Sequence, residues 1–69
     1  MIVRHEDREF KLIAGHDGDF WIVEVFEIVD GTQRLRFEYK LNTPRDETTA
    51  RERAWELFSA RNLEERSRQ

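Results

Sequence analysis

With 69 residues and 8.4 kDa, the chain has room for a single domain, residues 1–69. The absence of cysteine excludes disulfides, thiolate metal sites and a cysteine nucleophile, and 39% charged with 38% hydrophobic residues excludes both a disordered tail and a membrane span. The net charge of -3 arises wholly in residues 1–44, where six Lys or Arg meet nine Asp or Glu, and it counts against nucleic acid, whose binders usually carry a basic excess.

Met1 leads directly into charged residues with no apolar signal region, so the expected setting is cytoplasmic. Met1-Ile2-Val3 can extend the first strand, but Arg4, His5, Glu6 and Asp7 follow no alternation, and residues 1–7 receive no assignment. Three glycines, all read as turns, divide the stretch over about residues 8–41 into three strands. Asp17-Gly18 predicts a two-residue type I′ hairpin, because Asp-Gly tolerates the positive φ required at both central positions. That turn pairs Ala14 with Trp21, Leu12 with Val23, Lys11 with Glu24 and Phe10 with Val25. Val29-Asp30-Gly31 predicts a three-residue loop with a bulge glycine, which pairs Phe26 with Arg34, Val25 with Leu35, Glu24 with Arg36 and Val23 with Phe37. One face then holds Phe10, Leu12, Ala14, Trp21, Val23, Val25, Leu35, Phe37, Tyr39 and Leu41. The other carries a charge ladder of Lys11, Glu24 and Arg36.

After Leu41 the periodicity changes. Thr43 fits an N-cap with Pro44 at the first helical position, and Asp46 and Glu47 favour the positive end of a helix over about residues 44–64. Ala50, Ala54, Leu57 and Phe58 form a narrow apolar stripe, flanked by Trp55 as satellite core, with Arg61 falling on the stripe itself. Glu47 with Arg51 and Glu64 with Arg68 suit helix-supporting ion pairs, and residues 65–69 read as a frayed tail. The fold class is therefore α+β, a three-stranded antiparallel meander with one C-terminal helix on one face, order βββα.

The middle strand, Phe20 to Val29, is apolar on both sides, although a lone helix can cover only one. Phe20, Ile22, Phe26 and Ile28, joined by Ile13, point away from the helix, within a rim that includes Arg34, Arg36, Lys11, Lys40, Glu9, Glu24 and Glu38. Rimmed apolar patches mark interfaces. A chain this short buries only roughly 60% of the surface its unfolded form exposes. A homodimer, packed sheet to sheet or through a paired edge strand, answers that small core, with docking on another protein or cover by Arg and Lys stems as the other readings. The strand order is similar in outline to the arm-binding domains of some phage and transposon integrases, which lay a sheet into the major groove. That likeness implies a nucleic-acid alternative on duplex DNA, and a separate single-strand variant has Phe20 and Phe26 stack bases between Arg34, Arg36 and Lys40.

Nothing in the chain suggests catalysis or a cofactor. His16-Asp17-Gly18-Asp19 resembles a metal loop only loosely, since turns favour Asp and Gly for their backbone conformations, and the twelve-residue calcium pattern is missing. No glycine pair precedes a helix at phosphate-loop spacing, and Glu24 reads as a cross-strand partner rather than a catalytic carboxylate. The expectation is a non-enzymatic interaction module without metal or cofactor.

Overall fold

A computed structural model describes residues 1–42 and 44–64. It contains four antiparallel strands in spatial order β1-β2-β3-β4, namely β1 (Ile2–His5), β2 (Arg8–Asp17), β3 (Phe20–Val29) and β4 (Thr32–Leu41), followed by helix α1 (Glu47–Ser59). The class is α+β, as expected, but the sheet has four strands rather than three. Residues 2–5 form a strand of their own, pairing Val3 with Phe10 and His5 with Arg8. The turn between them, Glu6-Asp7, places Glu6 at φ 60, a left-handed conformation that a glutamate rarely adopts.

The first long hairpin turns one residue later than turn chemistry suggested, and the second closes more tightly. Asp17 pairs with Phe20, so Gly18 and Asp19 form the loop, and only Gly18, at φ 63, has positive φ. Positive φ at the first central position alone is the type II′ pattern rather than I′. The register therefore lies two residues from the expected one, with Leu12 opposite Val25 and Ala14 opposite Val23. Because side chains alternate with period two, a slip of two leaves every residue on its face. Gly15 is consequently a strand residue opposite Ile22, not a turn.

The second hairpin closes on Asp30 and Gly31, at φ 51 and 77, a two-residue I′ loop in place of the expected three. That loop sets Val29 opposite Thr32, Glu27 opposite Arg34 and Phe26 opposite Leu35. Continued without interruption, this register would send Phe37 and Tyr39 away from the helix. A bulge intervenes, with one extra residue, Arg36, between the Phe26–Leu35 and Val25–Phe37 pairs. Beyond it Val25 faces Phe37 and Val23 faces Tyr39, which restores the apolar alignment.

The core is the helix side of β2 and β3. Phe10, Leu12, Val23 and Val25 are buried against Ala50, Ala54 and Phe58 of α1 and against Leu63 beyond it. The small alanines let the helix approach closely, and the Phe10 ring lies 5.2 Å from Trp55 and 5.4 Å from Phe58, centroid to centroid. Trp55 is half-buried and packs against this cluster, the expected satellite position, whereas Leu57, expected on the stripe, is half-buried and stands apart from it. Thr43, expected as the N-cap, lies outside the described residues. The cap is Asp46, extended at φ -146, whose Oδ1 accepts the Thr49 N–H at 2.8 Å. That bond favours the charged carboxylate and lowers its pKa. Asp46→Ala is expected to lower stability through loss of the cap, measurable as a lowered urea midpoint.

The helix changes pitch at its end. Residues Ala60–Glu64 form a wider π-type coil. In a regular α-helix the fifth residue after Phe58 lies about 140° around the axis. The wider i to i+5 coil returns Leu63 towards the Phe58 side, where it is buried, and Arg61 remains exposed. The Asn62 side chain donates to the Phe58 carbonyl at 3.0 Å within this turn. The expected Glu64–Arg68 pair and the tail 65–69 reach beyond the described residues.

Candidate interaction surface

Helix α1 packs on one sheet face and no described element covers the other. Residues in register share a face, so the uncovered side can be read row by row across the strands. One row runs Ile2, Lys11, Phe26 and Leu35; the next towards the Gly18 turn runs Ile13, Glu24 and Glu38; then follow Gly15, Ile22 and Lys40, and finally Asp17 and Phe20. On the other side of the first row lie Arg4, Glu9, Ile28 and Gln33. Of the expected contact residues, Ile13, Phe20, Ile22, Phe26 and Ile28 therefore stand together on this face.

Ile13 is 42% exposed and the other four are half-buried, sheltered in part by neighbouring stems. Lys40 illustrates this, with its Nζ 4.5 Å from the centroid of the Phe20 ring. Ile2 and Leu35, each 54% exposed, extend the apolar row to both sheet edges. Neither was expected there: Ile2 belongs to the strand without a glycine signal, and Leu35 was moved across by the shorter loop.

Arg34 and Arg36 do not belong to this face. Arg34 stands in register with Glu27, and Arg36 Nη1 donates to Glu27 Oε1 at 2.9 Å. The expected ladder of Lys11, Glu24 and Arg36 is therefore absent. Glu24 instead faces Ile13 and Glu38, and among the described residues neither carboxylate forms an ion pair.

Glu27 carries no signal in the sequence beyond strand alternation. Alternation through Val23 and Val25 places it on the helix side, where it is 8% exposed. Arg8 grips both its oxygens, Nε to Oε2 at 2.9 Å and Nη2 to Oε1 at 3.1 Å, while Arg36 adds a third bond. The Arg8 guanidinium in turn lies 5.0 Å from the Phe10 centroid. The side-chain bond from Arg8 holds the Glu27 carboxyl below the usual carboxylate range against the opposing effect of burial, and the charges of Arg8, Arg36 and Arg34 act in the same direction as that bond. The arrangement closes the end of the core beside Phe10.

The chain matches no family model, no curated protein and no solved structure. The geometry therefore carries the functional argument alone. The His16 ring packs against Trp21 with centroids 3.7 Å apart and planes tilted by 35°, and among the described residues no group of three or more His, Asp or Glu is placed to hold a metal ion. Among the same residues no helix is long and apolar enough to cross a membrane.

Proposed function

We propose that the domain is a small non-enzymatic interaction module that associates with a second copy of itself through the sheet face opposite the helix, in a cytoplasmic setting. The observation that carries this reading is the position of Phe20, Ile22, Phe26 and Ile28 in adjacent rows of a face with no covering layer. An apolar stripe with a charged rim has the composition of a contact surface, and burying it in a second copy adds the core that a chain of 69 residues lacks. Nucleic acid fits this face less well, since Arg4, Lys11 and Lys40 stand there against Glu9, Asp17, Glu24 and Glu38.

Light scattering during size-exclusion chromatography, at about 100 μM so that a micromolar contact is largely occupied, tests the reading. The wild type is expected above the 8.4 kDa of one chain, and Phe26→Glu or Ile22→Glu is expected to lower the measured mass. A monomeric wild type removes self-association, and a mass unchanged by both substitutions removes this face as the contact.

A further inference from the structure

The sheet has two edges, and they differ. β1 offers only four residues, Ile2–His5, whereas β4 offers ten, Thr32–Leu41, without a proline. A long free edge presents unpaired backbone N–H and C=O groups to any strand that can align with it. Along β4, Phe37 is 48% exposed although it faces the helix side, because α1 lies chiefly over β2 and β3. Its ring packs only against Tyr39, at 4.6 Å between centroids, among the aromatic neighbours described.

We infer that β4 pairs antiparallel with β4 of a second copy about a two-fold axis at Tyr39. This inference rests on the reading of the partner as a second copy of this chain, and adds a contact that the outer face does not supply. A two-fold axis allows only self-complementary registers, and strand alternation requires paired residues to share a face. With the axis at Tyr39, Glu38 meets Lys40 of the second copy and Lys40 meets its Glu38, both on the uncovered face. Phe37 meets Leu41 of the second copy on the helix side, twice by symmetry, and Tyr39 meets its own counterpart.

The neighbouring registers fail. An axis at Glu38 sets that carboxylate against itself, beside Glu24, which already faces it in β3. An axis at Phe37 sets Glu38 against Arg36, but the bulge has turned Arg36 to Glu27 on the other side of the sheet. The Tyr39 register also resolves the one like-charge pair in the sheet, since Glu38 and Lys40 form no ion pair among the described residues. The product is one continuous eight-stranded sheet, with both helices on one side and both apolar stripes on the other.

Charge exchange in the Phe26→Glu background, where the outer face is disabled, tests the edge separately. With both contacts the wild type is expected above twice 8.4 kDa, and the Phe26→Glu chain at twice 8.4 kDa, held by β4 alone. Adding Glu38→Lys, or adding Lys40→Glu, places like charges opposite each other, and each chain is expected to become monomeric with an unchanged far-ultraviolet circular dichroism spectrum. An equimolar mixture of the two restores opposite charges at both positions and is expected to return to the doubled mass. A Phe26→Glu chain that is already monomeric, or charge variants that keep the doubled mass, would overturn edge pairing. A mixture that stays monomeric would overturn it too. The reading of the outer face is decided by wild type against Phe26→Glu and is untouched by the charge exchange.

Discussion

Phe10→Ala is expected to remove a large part of the protein's stability and to lower its urea midpoint sharply. The Phe10 side chain is fully buried between Trp55 and Phe58, and removing such a ring costs about 3–5 kcal/mol through lost burial and the cavity left behind. At about 0.05–0.15 kcal/mol per residue, a domain of 69 residues has a total stability of roughly 3–10 kcal/mol, so a single substitution consumes much of it. Urea unfolding followed by circular dichroism measures the loss. Ile13→Thr, on the uncovered face where Ile13 is 42% exposed, is expected to change stability by less than about 1 kcal/mol in dilute solution. Equal losses for the two variants would mean that both faces are covered within one chain.

The second large effect is acid sensitivity centred on Glu27. Its pKa is lowered in the folded protein, first by the Arg8 hydrogen bond and then by the surrounding guanidinium charges. A group whose folded pKa lies below its unfolded value contributes stability that is complete above the ordinary glutamate pKa of about 4.3 and is lost as pH falls through the folded pKa. Wild-type stability is therefore expected to fall on acidification across that window. Glu27→Gln keeps the shape but loses the charge, and at neutral pH it is expected to cost about 1–3 kcal/mol, because Arg8 and Arg36 lose a charged acceptor while remaining partly hydrated. The difference between wild type and variant should shrink as the pH drops. A constant difference across the acid range would assign the effect to packing rather than to the ion cluster.

Much of the architecture was legible because it rests on alternation. β2, β3 and β4 and the helix were each marked by apolar spacing, and the face of nearly every core residue survived a register error. At the first hairpin the error was two residues, and an even slip changes neighbours without changing sides. At the second, the shorter Asp30-Gly31 loop made the slip odd near the turn, which carried Leu35 to the uncovered face and Arg34 to the helix side. The bulge at Arg36 then made it even again. Alternation alone cannot place such a bulge, since the extra residue shows itself only as a change of phase between Leu35 and Phe37. β1 was missed for a different reason. Its turn, Glu6-Asp7, forces a glutamate to φ 60 where a glycine would have signalled the reversal.

The uncovered face was legible in part. Ile13, Phe20, Ile22, Phe26 and Ile28 were identified from the double-sided apolar pattern of β3, and the registers bring them together. Its charged rim was read incorrectly, because two of its arginines were needed elsewhere. Glu27 is a charged residue at an inward position, and its requirement for cationic partners draws Arg8 and Arg36 to the end of the core. The uncovered face therefore has fewer basic residues than expected and keeps its apolar stripe.

The relation between that stripe and a second chain can be observed without any substitution. In an equimolar mixture of isotope-labelled and unlabelled protein, isotope-filtered nuclear Overhauser spectra record only contacts between different chains. Cross-peaks from the Ile22 and Ile28 methyls and the Phe20 and Phe26 rings to the unlabelled copy are the predicted result. A concentrated sample in which those side chains show contacts only within their own chain would contradict it.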